Sequence, residues 1–203
     1  MQVRKEDSVT TSARRAQIVA ATIETIADLG YHQATFARIA ERAGLSSTRL
    51  ISYHFDGKDD LINQTIVTIY TEIGTFMAER VGAQTSPGAA LDTYIRSLIE
   101  FIRDHRREMR VATEVFLNYR PEKGTTAQEA AIDPASLQHI ERLLSWGQES
   151  GEFRRFNTRV VAMAIQRAMD GLPFLLEGDP GADLDVYTEE LVELFRLATR
   201  ARP

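Results

Sequence analysis

Apolar residues recur three or four positions apart along nearly the whole chain, and strand-like alternation is essentially missing. The spacing is plain in Val19/Ile23/Ile26, Phe36/Ile39/Ala40/Ala43, Ile62/Ile66/Ile69/Ile73 and Leu91/Ile95/Leu98/Ile102. It continues in Met109/Ala112/Phe116, Leu137/Ile140/Leu144, Val161/Ile165/Ala168/Leu172 and Leu184/Tyr187/Leu191/Leu194/Ala198. Pro and Gly interrupt it near Pro87-Gly88, Pro121, Pro134, Gly151 and Gly178-Asp179-Pro180-Gly181. These features predict an all-α chain of about nine helices. Residues 13–56 hold three short periodic segments, broken at Gly30 and Gly44, and longer ones follow from Gly57. The expectation is an N-terminal helical domain over 1–57, with residues 1–12 as a flexible arm, and a larger helical domain over 58–203.

The 203 residues are 43% apolar and 26% charged, an ordinary globular balance, and contain no cysteine. That absence excludes disulfide scaffolds, thiolate metal sites and Cys nucleophiles, and it suits a reducing compartment. No run approaches the roughly 18 apolar residues of a membrane helix, and Met1–Ser12 lacks the apolar stretch of a secretion signal. A soluble, cytoplasmic protein without membrane contact is expected. Charge is uneven: residues 1–58 hold eight Lys and Arg against six Asp and Glu, and residues 59–203 hold sixteen against twenty-three. The acidity belongs to the larger part.

The segment from Thr35 to Phe55 has the grammar of a helix-turn-helix. Thr35 can cap a helix whose apolar face is Phe36, Ile39, Ala40 and Ala43. Gly44 supplies the positive φ that ends it, Leu45 packs inward, and Ser46 caps the next helix. In that second helix Leu50, Ile51 and Phe55 are expected inward, leaving Ser47, Thr48, Arg49, Ser52 and Tyr53 outside. Those outer groups are suited to base edges in a major groove: Arg49 can pair with guanine O6 and N7, and hydroxyls can donate or accept at several bases. A merely solvated polar face is the alternative. Asp56-Gly57-Lys58-Asp59-Asp60-Leu61 starts a further helix with Gly57 as N-cap. Lys58 opposes the helix dipole there, which a phosphate drawn to the same terminus would explain.

Together, Ala27-Asp28-Leu29-Gly30-Tyr31, Thr35 through Gly44, Ile51-Ser52-Tyr53-His54-Phe55 and Gly57-Lys58-Asp59-Asp60-Leu61 resemble the TetR (tetracycline-repressor-like) family of transcriptional regulators, over about residues 13–62. The resemblance implies an Ω-shaped homodimer with a three-helix DNA-binding head on each subunit. It also implies a helical C-terminal domain that binds a small effector and controls head spacing. It puts Thr35, Tyr53, His54 and Lys58 near phosphates, and Ser47, Thr48, Arg49 and Ser52 at the base-reading surface. Between Gly44 and Phe55 the chain has one residue more than the family's commonest spacing, and Ser47-Thr48-Arg49 stands where a Lys-Gly or Pro-Gly pair is usual. Tyr31 and His32 are expected as packing residues. Arg4, Lys5, Arg14 and Arg15 can form a basic arm, or a disordered tail.

Trp146 through Arg154 resembles the family's segment ending the seventh helix. The resemblance implies a four-helix dimer interface from the last two long helices, assigned to Ala164, Ile165, Ala168, Gly171, Leu172, Leu184, Leu191, Leu194 and Phe195, with intrachain core as the alternative. Effector-pocket walls are expected from Phe76, Met77, Phe101, Phe116, Tyr119 and Trp146, with Glu114, Arg167 and Asp170 as buried anchors or surface charges. The effector itself has no signature in the chain. A di-iron bundle needs two Glu-x-x-His motifs, yet the residues three before His32, His54, His105 and His139 are Leu29, Ile51, Ile102 and Ser136. P-loop, Rossmann, nucleophile-elbow and zinc-protease motifs are missing too, so neither catalytic residues nor a metal or cofactor are expected. The expected function is a dimeric regulator, a repressor that a small molecule releases from a palindromic operator. A helical protein-interaction adaptor without DNA binding is the alternative, favoured only by the acidic C-terminal part.

Overall fold

The computed structural model describes residues 3–120 and 134–201, and the regular elements among them are helices, as the periodicity requires. The chain divides into two compact units, Met1–Tyr70 with Arg107–Gln128, and Thr71–Arg106 with Glu129–Pro203. The first unit therefore extends past the head into the following long helix and takes in a later one. The break expected near Pro121 lies outside the described residues.

In the first unit, α1 spans Val3–Leu29, because neither Gly nor Pro interrupts the chain before Gly30. The stretch expected as a flexible arm thus has helical backbone from Val3 onward; the side chains of Arg4 and Lys5 lie outside those described. Ile18, Val19, Ile26 and Ala27 are buried, and so are Thr22 and Thr25, whose hydroxyls donate back to the carbonyls of Ile18 and Ala21 at 2.8 and 2.6 Å. Buried polar groups are tolerated only when so satisfied. Gly30, at φ 82°, ends the helix, and a 3-10 turn at Tyr31–Gln33 leads into α2, Phe36–Arg42. Helix α3 follows at Arg49–His54 and α4 at Gly57–Val81, with Leu61, Ile62, Thr65 and Ile69 buried.

Helix α6, Arg106–Asn118, packs beside this head through its C-terminal half. The Glu114 carboxylate accepts the Tyr31 backbone N–H at 3.1 Å, and the Tyr31 and Tyr119 rings meet edge to face, 6.3 Å apart. Burial first, then the Asp59 charge, push the Tyr119 phenol above its ordinary range.

In the second unit α5, Pro87–Asp104, is the central element, with Leu91, Tyr94, Ile95, Leu98, Ile99, Phe101 and Ile102 buried. It starts on the expected punctuation: the Ser86 hydroxyl accepts the Ala89 N–H at 3.3 Å, and Pro87 occupies the first turn. Around it pack α7 (Pro134–Glu149), α8 (Thr158–Asp170), α9 (Leu172–Gly178) and α10 (Leu184–Thr199). Ion pairs add to the apolar seam between α10 and α5: Arg96 bonds Glu189 through its two terminal guanidinium nitrogens, and Arg196 meets Asp92 at 2.6 Å. The segment after α7 is locked to the end of α10, because Arg154 N–H donates to Thr199 C=O and Ala201 N–H to Glu152 C=O, at 2.9 and 3.0 Å. Gly147 packs closely: a Cβ there would stand 1.9 Å from the ring of buried Phe153, which would have to shift.

Candidate nucleic-acid interface

Helix α2 begins where Thr35 accepts the Arg38 N–H, a long bond at 3.4 Å, and it buries Ile39 and Ala40. Its end is a Schellman motif. Gly44, at φ 62°, gives its N–H to Glu41 C=O at 3.0 Å, while Leu45 N–H reaches back to Ala40 C=O at 2.8 Å. Gln17 of α1 donates to the remaining Ala43 carbonyl at 2.6 Å, which ties the turn to the neighbouring helix.

Helix α3 is held from beneath by Ile51 and Phe55, four residues apart and fully inward. Arg15 of α1 completes the hold: its guanidinium lies 4.2 Å above the Phe55 ring and donates to the His54 carbonyl and to Gln64 Oε1. Arg15, considered from sequence as part of a basic arm, is therefore a clamp on α3. Tertiary contact consumes its charge, which no local pattern reveals.

Two local expectations change. Ser46 does not cap α3; the helix starts three residues later, with Thr48 at the N-cap position and the Ser47 hydroxyl accepting the Arg49 N–H at 3.1 Å. Two adjacent serines made the register ambiguous. Leu50, expected inward, is 36% exposed, because Ile51 and Phe55 already fill the space beneath the helix.

The outer surface is otherwise as expected. Thr35, Ser47, Thr48, Arg49, Ser52 and Tyr53 are exposed, Tyr53 at 79%. The Arg49 guanidinium has no hydrogen bond or ion pair among the described residues, which leaves its planar donor fork available for a bidentate acceptor. His54 is half-buried, with its ring edge against Tyr53. Lys58 lies in the first turn of α4 with its ammonium 4.6 Å from the centre of the Tyr31 ring. Burial pushes that ammonium below its ordinary range, against the pull of Asp59. Tyr31 thus supplies an internal partner for the cation that the helix dipole opposes. Tyr31 is buried, as expected of a packing residue; His32 is exposed and meets Asn118 at 3.2 Å.

The expected effector residues separate into several places. In the second unit Phe76 and Phe101 come together edge to face at 5.3 Å, with His105 stacked on Phe101 at 3.8 Å. With Thr71, Glu72, Thr75 and Glu79 they line a groove of about 380 Å³. Met77 is buried, Trp146 is exposed, and Arg167 and Asp170 pair on the surface of α8 at 3.2 Å. Glu114 and Tyr119 belong to the first unit, where both meet Tyr31, and Phe116 is half-buried there.

Of the residues assigned to a dimer interface, Ile165, Leu172, Leu184 and Phe195 are buried within their own unit, and Ala168 and Leu191 are half-buried. Ala164, Gly171 and Leu194 are exposed. The outward faces of α8 and α10 add Val160, Val186 and Leu197, which the sequence reading missed. The missing signal was the second apolar stripe of each helix, since Val186, Leu194 and Leu197 fall on one side at helical spacing.

A short helix pair that turns guanidinium, hydroxyl and phenol groups outward from a fully packed base is a helix-turn-helix, a DNA-reading element. Comparison with known proteins agrees. Residues 18–65 match the family of bacterial regulatory proteins described as the tetR family. The HTH-type transcriptional regulator BetI 1 of Chromohalobacter salexigens is 29% identical over 81% of this chain and 76% of its own length. A regulator BetI from an Escherichia coli strain is 39% identical over 82% of this chain and 80% of its own. The same fold occurs in the Bacillus subtilis regulator FadR solved with stearoyl-CoA, at a TM-score of 0.75 and 23% identity, covering 88% of this chain and 96% of that one. A tetR-family regulatory protein from Rhodococcus covers 94% of this chain and 98% of its own, at a TM-score of 0.76 and 20% identity. The chain belongs to the TetR family of transcriptional regulators and is a DNA-binding regulator.

Proposed function

We propose that the chain acts as a homodimeric repressor whose two α3 helices occupy half-sites of a palindromic operator, and that a small organic effector releases it. Residues 1–57 form the DNA-binding domain in this reading, and residues 58–203 carry effector binding and dimerisation. Arg49 pairs with a guanine; Ser47, Thr48 and Ser52 meet neighbouring base edges; Thr35, Tyr53, His54 and Lys58 hold phosphates. The observation that carries this is the outward face of α3, where Arg49 and Tyr53 project from a base locked by Ile51, Phe55 and Arg15.

A second copy is the cover that best suits the apolar faces of α8 and α10, where Val160, Ala164, Val186, Leu194 and Leu197 are left to solvent. One six-residue recognition helix buries little, so affinity and specificity need two half-sites about 34–36 Å apart. The groove lined by Phe76, Phe101 and His105 takes in two of the expected effector residues, Phe76 and Phe101, and the organic ligand held by the FadR neighbour supports an effector role for this domain type. The relatives are transcriptional regulators, and we take the chain to be a cytoplasmic protein without catalytic activity.

Selection of bound sequences from random DNA tests the reading directly. The expected product is an inverted repeat, bound by a species that sediments as a dimer. Recovery of no common motif, or a strictly monomeric protein, refutes it.

A further inference from the structure

We propose that Leu50 is a specificity-determining residue that reads the 5-methyl group of a thymine beside the base met by Arg49. The inference rests on α3 being the reading helix and adds a base type to it. Ile51 and Phe55 define the inward direction of α3, and at about 100° of rotation per residue Arg49 and Tyr53 then point directly away from the core. Leu50 lies on the flank of that outward pair, one helical turn from Tyr53.

Ile51 and Phe55 fill the interior beneath α3, and Leu50 keeps 36% of its surface exposed on the flank of the helix. Leucine can neither donate nor accept a hydrogen bond, so it cannot read the donor and acceptor code of the major groove. The thymine methyl is the apolar group that a base pair displays there, and an aliphatic side chain recognises it by excluding water from both surfaces. Helical spacing places Leu50 and Tyr53, three residues apart, on neighbouring positions beside Arg49. That combination matches a guanine and a thymine close together in the half-site.

The test uses the full chain and the operator recovered by selection, with single thymines replaced by uracil symmetrically in both half-sites. Uracil keeps every hydrogen-bonding group and removes only the methyl. One thymine position is expected at which this replacement weakens wild-type binding about fourfold per half-site, the value of one buried carbon. Leu50→Ala is expected to bind more weakly yet to become indifferent to uracil at that position, whereas Arg49→Ala retains the uracil penalty. The slope of affinity against salt should not change in Leu50→Ala, since no phosphate contact is lost. Thermal unfolding of Leu50→Ala, and a second variant Leu50→Gln that keeps side-chain length, guard against a folding artefact. A full uracil penalty in both variants, or no uracil-sensitive thymine for the wild type, overturns the proposal. Failure of the wild type to prefer its operator over random DNA would instead overturn the reading role of α3, and Leu50 with it.

Discussion

Helix α3 buries Ile51 and Phe55 and turns Arg49, Ser52 and Tyr53 to solvent, whereas α10 buries Leu184, Val192 and Phe195 and turns Val186, Leu194 and Leu197 to solvent. Each helix is anchored in its own unit by an inward apolar stripe, so neither needs its outer face for folding. The outer chemistry differs all the same. Directional donors and acceptors suit base edges and phosphates, whose positions are set by a rigid duplex. A non-directional apolar stripe suits another apolar stripe, for which a second copy is the economical source. In both helices the face that packing leaves over is the one to which the proposed function assigns a role.

The contrast breaks most visibly on α10. Leu194→Glu puts a charge on the outward stripe, and sedimentation should show monomer while the folded helical content persists. Operator affinity should then fall about 100-fold or more, because the second half-site is no longer tethered. A dimer that survives this change would move the self-contact to another surface. On α3, Arg49→Ala should cost about 5- to 150-fold in affinity for the operator, measured by anisotropy, with the dimer intact. Equal losses on operator and random DNA would make Arg49 a phosphate contact instead.

Changes beneath the two surfaces should act on stability. Gly147→Ala forces a methyl against the Phe153 ring and should destabilise the second unit by about 1–3 kcal/mol, read as a lowered midpoint in urea. Arg15→Ala removes the cover over Phe55 and the donor to the His54 carbonyl. About 1–2 kcal/mol of stability should be lost, with operator binding weakened through the loosened α3. The smallest effect concerns the exposed Asp28–Arg42 pair. The hydrogen bond from Arg42 holds the Asp28 carboxyl below its ordinary value of 3.8 against the opposing effect of burial, with smaller help from the charges of Arg42, Arg107 and Arg110. A depressed carboxylate stabilises the fold above that ordinary value and ceases to do so as pH falls through its folded value. The stability gap between wild type and Arg42→Gln should therefore close on acidification below about pH 3.8 in thermal unfolding.

Much of this was legible in the chain before folding. Thr35, Gly44 and the spacing of Ile39, Ala40, Ile51 and Phe55 belong to local capping and periodicity, and each behaves as the pattern requires. Leu50 was misjudged because helical spacing states which residues share a side but not how wide the buried stripe is. The contacts of Arg15 are not legible in the chain, because a basic residue near the N-terminus looks the same whether it faces phosphate or a phenylalanine ring. The residues assigned to one effector pocket divide between two units, since an isolated aromatic on a helix carries no mark of the cavity it lines. On α8 and α10 two apolar stripes compete, and only packing against α5 and α7 reveals which is inward.

The sequence by itself determined the helices, their caps and the chemical character of the reading helix, because those depend on contacts within a few residues. Tertiary structure decided which apolar residues remain uncovered, which cations are spent on internal partners and which aromatics share a groove. Those outcomes depend on contacts between segments far apart in the chain, such as Arg15 with His54 or Glu114 with Tyr31, for which one-dimensional spacing holds no record.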